Sequence, residues 1–213
     1  MMTFDSLEFI NNWCQFNKST DVYVLLAVAR KKFNPLTNSQ EVVFREVIKN
    51  KDEIVKKYNK INILANHYRS PEGKKFNFYM YLTVNSRDSI KGLFGVKDLL
   101  NSYIQQHING TDVSNRLKKI DEVWVSSLMK PMSRSLRYFM IDFDSKDKDA
   151  LRKVQLELIG SDVGYIKTIE TRDGYHILTK PFNRKKLEQS EYKPLFEIKT
   201  DALVYIESIG DFE

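Results

Sequence analysis

Cys14 is the single cysteine of this chain. One thiol excludes an internal disulfide framework and a cysteine-based zinc site within one chain. No apolar run reaches the roughly 18 residues of a membrane-spanning helix, so no membrane partner is expected. The N-terminus, MMTFDSLEFINNW, carries acids early and lacks a basic segment, so no secretory signal is expected either. The expected location is the cytoplasm, where the sequons at Asn17 and Asn109 carry no meaning. Internal repeats and low-complexity tracts are also missing.

What is present is ordinary in bulk. The 213 residues suit one domain, or one and a half, and are enough to bury a real core. Hydrophobic residues make up 42% and charged residues 29%, a globular composition. The net charge of +6 permits a polyanionic partner, because lysine and arginine displace condensed counterions. Eleven Tyr and thirteen Phe supply faces for stacking on bases as well as for the core.

Along the chain, residues 3–17 read as a helix capped by Thr3, with Phe4, Leu7, Phe9, Ile10, Trp13 and Phe16 on one face. Residues 21–30 suit a strand or a buried helix. A turn is expected at Asn34-Pro35 and a helix from Ser39 to Tyr58. The segment Ile61 to His67 is read as a strand pairing with Phe76 to Val84 across the loop at Pro71-Glu72-Gly73. Residues 89–128 read as helical, broken at Asn109-Gly110. The rest is read as a strand over 136–144, a helix from Lys146 to Leu158, strands over 164–171 and 174–179, a short helix over 184–192, and strands over 195–199 and 203–208. That order is roughly β-α-β-β-α-β, an α+β sheet with helices on one face.

Chemistry concentrates in three places. The strand Tyr138 to Asp144 ends in Asp142-Phe143-Asp144. Residues i and i+2 of a strand share a face, so the two carboxylates project side by side. Their repulsion is relieved by a divalent cation between them, and Mg²⁺ or Mn²⁺ favours such oxygen ligands together with substrate phosphates. A plainer role for Asp144 is to cap the helix that follows. The second place is Glu170 to Leu178, where His176 sits in a strand just after the turn Arg172-Asp173-Gly174. Gly174 allows close approach of a phosphate to the backbone, and Arg172 can reach one. His67 and His107 are read as structural. The third is Phe196 to Asp201, where Glu197 or Asp201 supplies a further carboxylate.

In this order the three motifs resemble those of the archaeo-eukaryotic primase (primase-polymerase) superfamily, in its small phage and mobile-element type. Arg30-Lys31-Lys32 and Tyr81 to Arg87 are similar to the N-terminal part of those proteins. The resemblance implies a primase-type core with an RRM-like C-terminal half (131–213) and a helix-rich N-terminal α/β module (1–130). It implies a nucleotidyltransferase that adds nucleotides to a 3′-OH on a template, with Mg²⁺ or Mn²⁺ as cofactor. Asp142 and Asp144 would bind metal, with Glu197 or Asp201 as the third acid. His176, Arg172, Gly174 and Lys180 would contact the nucleoside triphosphate, with Arg87 and Lys199 as further basic candidates. Arg30, Lys31, Lys32 and Arg87 would grip single-stranded or primed DNA. Gly174 stands where the family commonly has serine, and Glu197 where it usually has aspartate. The chain carries no zinc-binding cluster and no helicase region, so a stand-alone core is implied, with a helicase or replication protein supplied in trans. The rival readings are a non-catalytic or degenerate primase-like nucleic-acid-binding protein, and a metal-dependent nuclease or nucleotide cyclase using the same carboxylates.

Overall fold

The computed structural model describes residues 5–31, 34, 41–70, 73–135 and 137–210. Thr3, Lys32, Pro35, Pro71 and Glu72 lie outside them. Two compact units form: one draws on the chain up to Met80, Ser86–Ser135 and the end from Glu207, the other on Tyr81–Asn85 and Leu136–Ile206. Both sheets are antiparallel wherever register is defined, which makes the protein α+β.

The first unit opens with α1 (Ser6–Trp13), capped by Asp5, whose carboxylate accepts the Glu8 N–H at 3.0 Å. Strand β1 (Asp21–Ala29) is buried along its whole length. It pairs with β2 (Val42–Ile48), from Tyr23 opposite Ile48 to Ala29 opposite Val42. This corrects the helix expected from Ser39 to Tyr58. The spacing of Val43 and Val47 suits either structure, and the β-branched run is decided by the ladder that β1 offers. The helix starts later, as α2 (Ile54–His67), and buries Ile54, Ile61 and Ala65 at helical spacing. Ile61 to His67 is therefore the second half of a helix, not a hairpin strand. Strand β3 (Phe78–Thr83) and the short β4 (Arg87–Asp88) follow. Helix α3 (Ser89–Ile108) is capped by Asp88 and stops at Asn109-Gly110, where Gly110 adopts φ +84°. Helices α4 (Ser114–Leu117) and α5 (Ile120–Leu128) complete the helical stretch.

In the second unit, β5 (Phe139–Phe143), α6 (Lys148–Gly160), β6 (Tyr165–Glu170), β7 (Tyr175–Thr179) and β8 (Phe196–Lys199) build a four-stranded sheet in the order β6-β7-β5-β8. Alternation along the strands sends Ile141, Phe143, Tyr175, Ile177 and Phe196 into a core with Ala150, Leu151, Val154 and Leu158 of α6. The expected helix over 184–192 is a 3₁₀ turn, Arg184–Leu187, with a second at Lys193–Leu195. The last strand, β9 (Leu203–Ile209), belongs to the other sheet, whose order is β2-β1-β3-β9 with β4 on β1.

Gly174, in the turn before β7, is required by packing. A Cβ there would lie 1.9 Å from the Phe143 carbonyl oxygen and 3.0 Å from the Ser145 nitrogen, both backbone atoms. Gly174→Ala is therefore expected to destabilise the protein by about 2 kcal/mol or more. Urea denaturation checks this, and an unchanged midpoint would contradict it.

Candidate functional site

The register of the four-stranded sheet brings the three motifs into one row. Asp142 on β5 lies directly opposite His176 on β7 and directly opposite Glu197 on β8. Directly paired residues share a face, so these side chains stand together on the side of the sheet away from α6. The three positions are far apart in sequence, and only the pairing of three strands assembles them.

His176 is buried, with 7% exposure. Its Nδ1 accepts the Tyr205 backbone N–H at 3.0 Å. A nitrogen that accepts is unprotonated, so the neutral ring carries its proton on Nε2. That nitrogen faces Asp142 Oδ1 at 3.4 Å. The other carboxylate oxygen, Oδ2, accepts from Lys199 Nζ at 2.5 Å, and Nζ also lies 3.4 Å from Glu197 Oε2. Lys199 and Glu197 share a face of β8 as residues i and i+2.

These contacts set the electrostatics. The His176 ring and then Lys199 outweigh burial and hold the Asp142 carboxyl down at about 2. Of the two partners Lys199 is the stronger counter-charge, because a charged ammonium at 2.5 Å attracts more than a neutral ring N–H at 3.4 Å. Burial pulls the Lys199 ammonium down, and the Asp142 and Glu197 carboxylates outweigh it, so its pKa stays above the ordinary value.

A lowered carboxyl pKa stabilises the fold fully above the unfolded value near 4, and that stability is lost as pH falls through the folded value near 2. Over this window the wild type is expected to lose about 2 kcal/mol that Asp142→Asn does not lose. Urea denaturation at about pH 5, 3 and 2 measures it. Parallel losses in both proteins would contradict the assignment.

Asp144 follows the end of β5 and is exposed. Its backbone N–H donates to the Leu195 carbonyl at 2.8 Å. That bond extends the β5–β8 ladder by one residue, so alternation places Asp144 on the side of Asp142. Its carboxylate has no hydrogen bond or ion pair among the described residues. The plainer role, capping the next helix, is taken by Asp147, whose carboxylate accepts the N–H groups of Asp149 and Ala150 at 2.9 and 3.1 Å. Asp144 is left without a structural task.

The turn Arg172-Asp173-Gly174 lies at the same end of the sheet, because Tyr175 pairs with Phe143. Arg172 is half exposed there, its Nε 3.9 Å from Asp173 Oδ1. Lys146 ties the turn down by donating to Glu170 Oε1 at 2.8 Å and to the Thr171 carbonyl at 2.5 Å.

Other candidates are not brought to the row. Asp201 lies past the end of β8 that pairs with Met140, away from Asp144, so Glu197 is the acid opposite Asp142. Lys180 follows Thr179, which pairs with Phe139 at the far end of β5. Four extended residues, about 13 Å, separate its backbone from that of His176. Arg30 and Lys31 are exposed after β1 in the other unit. Arg87 is a correction: expected at a DNA-binding surface, it is 1% exposed on β4, paired with Val22 of β1. Its neighbours in sequence and its strand pairing hold it inside the first unit. Two contributors left no signal in the sequence. Tyr205 acts through its backbone N–H. The buried Asn85 clamps the approach to β5, accepting from the Tyr138 N–H at 2.5 Å and donating to the Tyr138 carbonyl at 3.2 Å. The Lys199 pairing could have been foreseen from the Glu197-x-Lys199 alternation.

Asp142 and Glu197 converge on a cation that the protein itself supplies, the Lys199 ammonium. Among the described residues no three His, Cys, Asp or Glu side chains form a metal cage. An all-oxygen pair fits Mg²⁺ or Mn²⁺, which bind through one or two carboxylates and complete their shell with water and phosphate. Among the described residues no helix is long and apolar enough to cross a membrane. In comparisons with known proteins, the chain matches no family model and no curated protein.

Proposed function

We propose that this protein is a primase-polymerase-type nucleotidyltransferase, which adds nucleotides to a 3′-OH on a single-stranded or primed DNA template. The observation that carries this reading is the single row of His176, Asp142 and Glu197 across β7, β5 and β8, with Asp144 exposed at its open end. The strand order β6-β7-β5-β8, with α6 behind it, supports an RRM-like catalytic half of the kind the sequence motifs suggest.

In this reading Asp142 and Asp144 would hold Mg²⁺ or Mn²⁺, and Glu197, opposite Asp142 on β8, would add negative charge beside them. A bound metal would supply charge neutralisation during nucleotide addition. His176, fixed with its proton on Nε2, aims that N–H at the Asp142 Oδ1 side of the row, where a phosphate oxygen bound beside the carboxylate would share it. It is a neutral donor and does not act as the base. Arg172, at the same end of the sheet, neutralises the triphosphate. Arg30 and Lys31 provide basic contacts for template phosphates.

One observation favours a second reading, a non-catalytic nucleic-acid-binding protein on the same scaffold: both oxygens of Asp142 already face cationic or N–H partners. Incubation with primed and unprimed single-stranded DNA, NTPs or dNTPs, and Mg²⁺ or Mn²⁺ separates the two. Elongated or newly made strands support the transferase. Template binding without product in any lane supports the binding protein.

A further inference from the structure

We propose that Lys199 is a built-in counter-cation of the carboxylate row, which a divalent metal must displace in order to bind. The proposal rests on the metal-site reading above. Three features of the structure lead to it. The ammonium stands between two carboxylates on neighbouring strands, 2.5 Å from Asp142 Oδ2 and 3.4 Å from Glu197 Oε2. It therefore occupies Asp142 Oδ2, an oxygen that a divalent ion held by Asp142 and Asp144 would need. The arrangement also follows from the strand itself, because alternation on β8 puts Glu197 and Lys199 on one face while pairing sets Glu197 opposite Asp142. Finally, the Lys199 side chain is 34% exposed, so its head can swing into water by rotation about single bonds.

A monovalent charge fixed at this point has a definite consequence. Without a divalent ion it relieves the repulsion between Asp142 and Glu197. When a divalent ion approaches, the ammonium repels it until it leaves. The affinity of the site for metal is thus set low by a residue that is not a ligand. Lys199 is a positioning residue, and removing it should tighten metal binding, the opposite of what removing a ligand does.

The test is Mn²⁺ titration of the full chain, followed by the electron paramagnetic resonance signal of free Mn²⁺. The proteins compared are wild type, Lys199→Met, Lys199→Arg, Asp142→Asn and the Lys199→Met/Asp142→Asn double variant. Lys199→Met is expected to bind Mn²⁺ at least about tenfold more tightly than wild type. Lys199→Arg, which keeps a fixed cation, should stay within about threefold of wild type. The double variant should lose the gain. Circular dichroism checks folding without metal, and Lys199→Gln replaces Lys199→Met if the latter does not fold. Equal or weaker binding by Lys199→Met, with binding still lost in Asp142→Asn, overturns the counter-cation role and leaves the metal site standing. No Asp142-dependent Mn²⁺ binding in any variant overturns the metal-site reading and this proposal with it.

Discussion

Asp144→Asn should lower nucleotide addition by about a thousandfold or more while leaving the melting temperature unchanged. The two halves of this expectation have separate causes. Asp144 is exposed beyond the end of β5, and the helix that follows is capped by Asp147 instead. An isosteric amide at such a site changes stability by no more than about 0.5 kcal/mol. In the proposed reaction the same carboxylate is one of two that hold the metal, and an amide removes the charge that binding needs. Single-turnover nucleotide addition beside a thermal melt measures both. Activity within tenfold of wild type would remove Asp144 from the site. A large fall in melting temperature would restore a structural role.

The second large effect separates two tasks of His176. His176→Ala removes both ring nitrogens. It orphans the Tyr205 N–H and opens space at a side chain that is 7% exposed, so a loss of about 2–3 kcal/mol is expected. Nucleotide addition should fall by about a hundredfold or more, as for loss of a fixed hydrogen-bond donor. In His176→Asn the amide oxygen takes the place of Nδ1 and accepts the Tyr205 N–H, but nothing replaces the Nε2–H. That variant is expected to recover most of the stability and none of the activity. Urea denaturation and single-turnover rates together decide. Activity recovered alongside stability in His176→Asn would mean that the ring is only a structural support.

The sequence was informative where chemistry and periodicity coincide. The apolar run into Asp142-Phe143-Asp144 marks β5, and the turn before Tyr175 marks the start of β7, because side-chain alternation and tight-turn residues are local signals. It was least informative where a partner decides. Val42 to Ile48 has a pattern that suits a helix, and becomes a strand because β1 offers a ladder for it. Ile61 to His67 then continues a helix rather than joining a hairpin. Arg87 reads as a surface cation until its pairing with Val22 buries it. The candidate site shows the same limit. Its residues were visible one motif at a time, but the choice between Glu197 and Asp201 depends on register, a non-local property of β5 and β8. The tautomer of His176 depends on a backbone N–H, which every non-proline residue has.

The most direct test locates the metal. Crystals grown with Mn²⁺ and a non-hydrolysable nucleoside triphosphate would be measured at the manganese absorption edge, and the anomalous difference map would show where the ion lies. The account predicts a peak within bonding distance of Asp142 and Asp144, with Lys199 moved off Asp142 and His176 Nε2 directed at a phosphate oxygen. Nucleotide and metal bound elsewhere, with Lys199 still seated between Asp142 and Glu197, would contradict it.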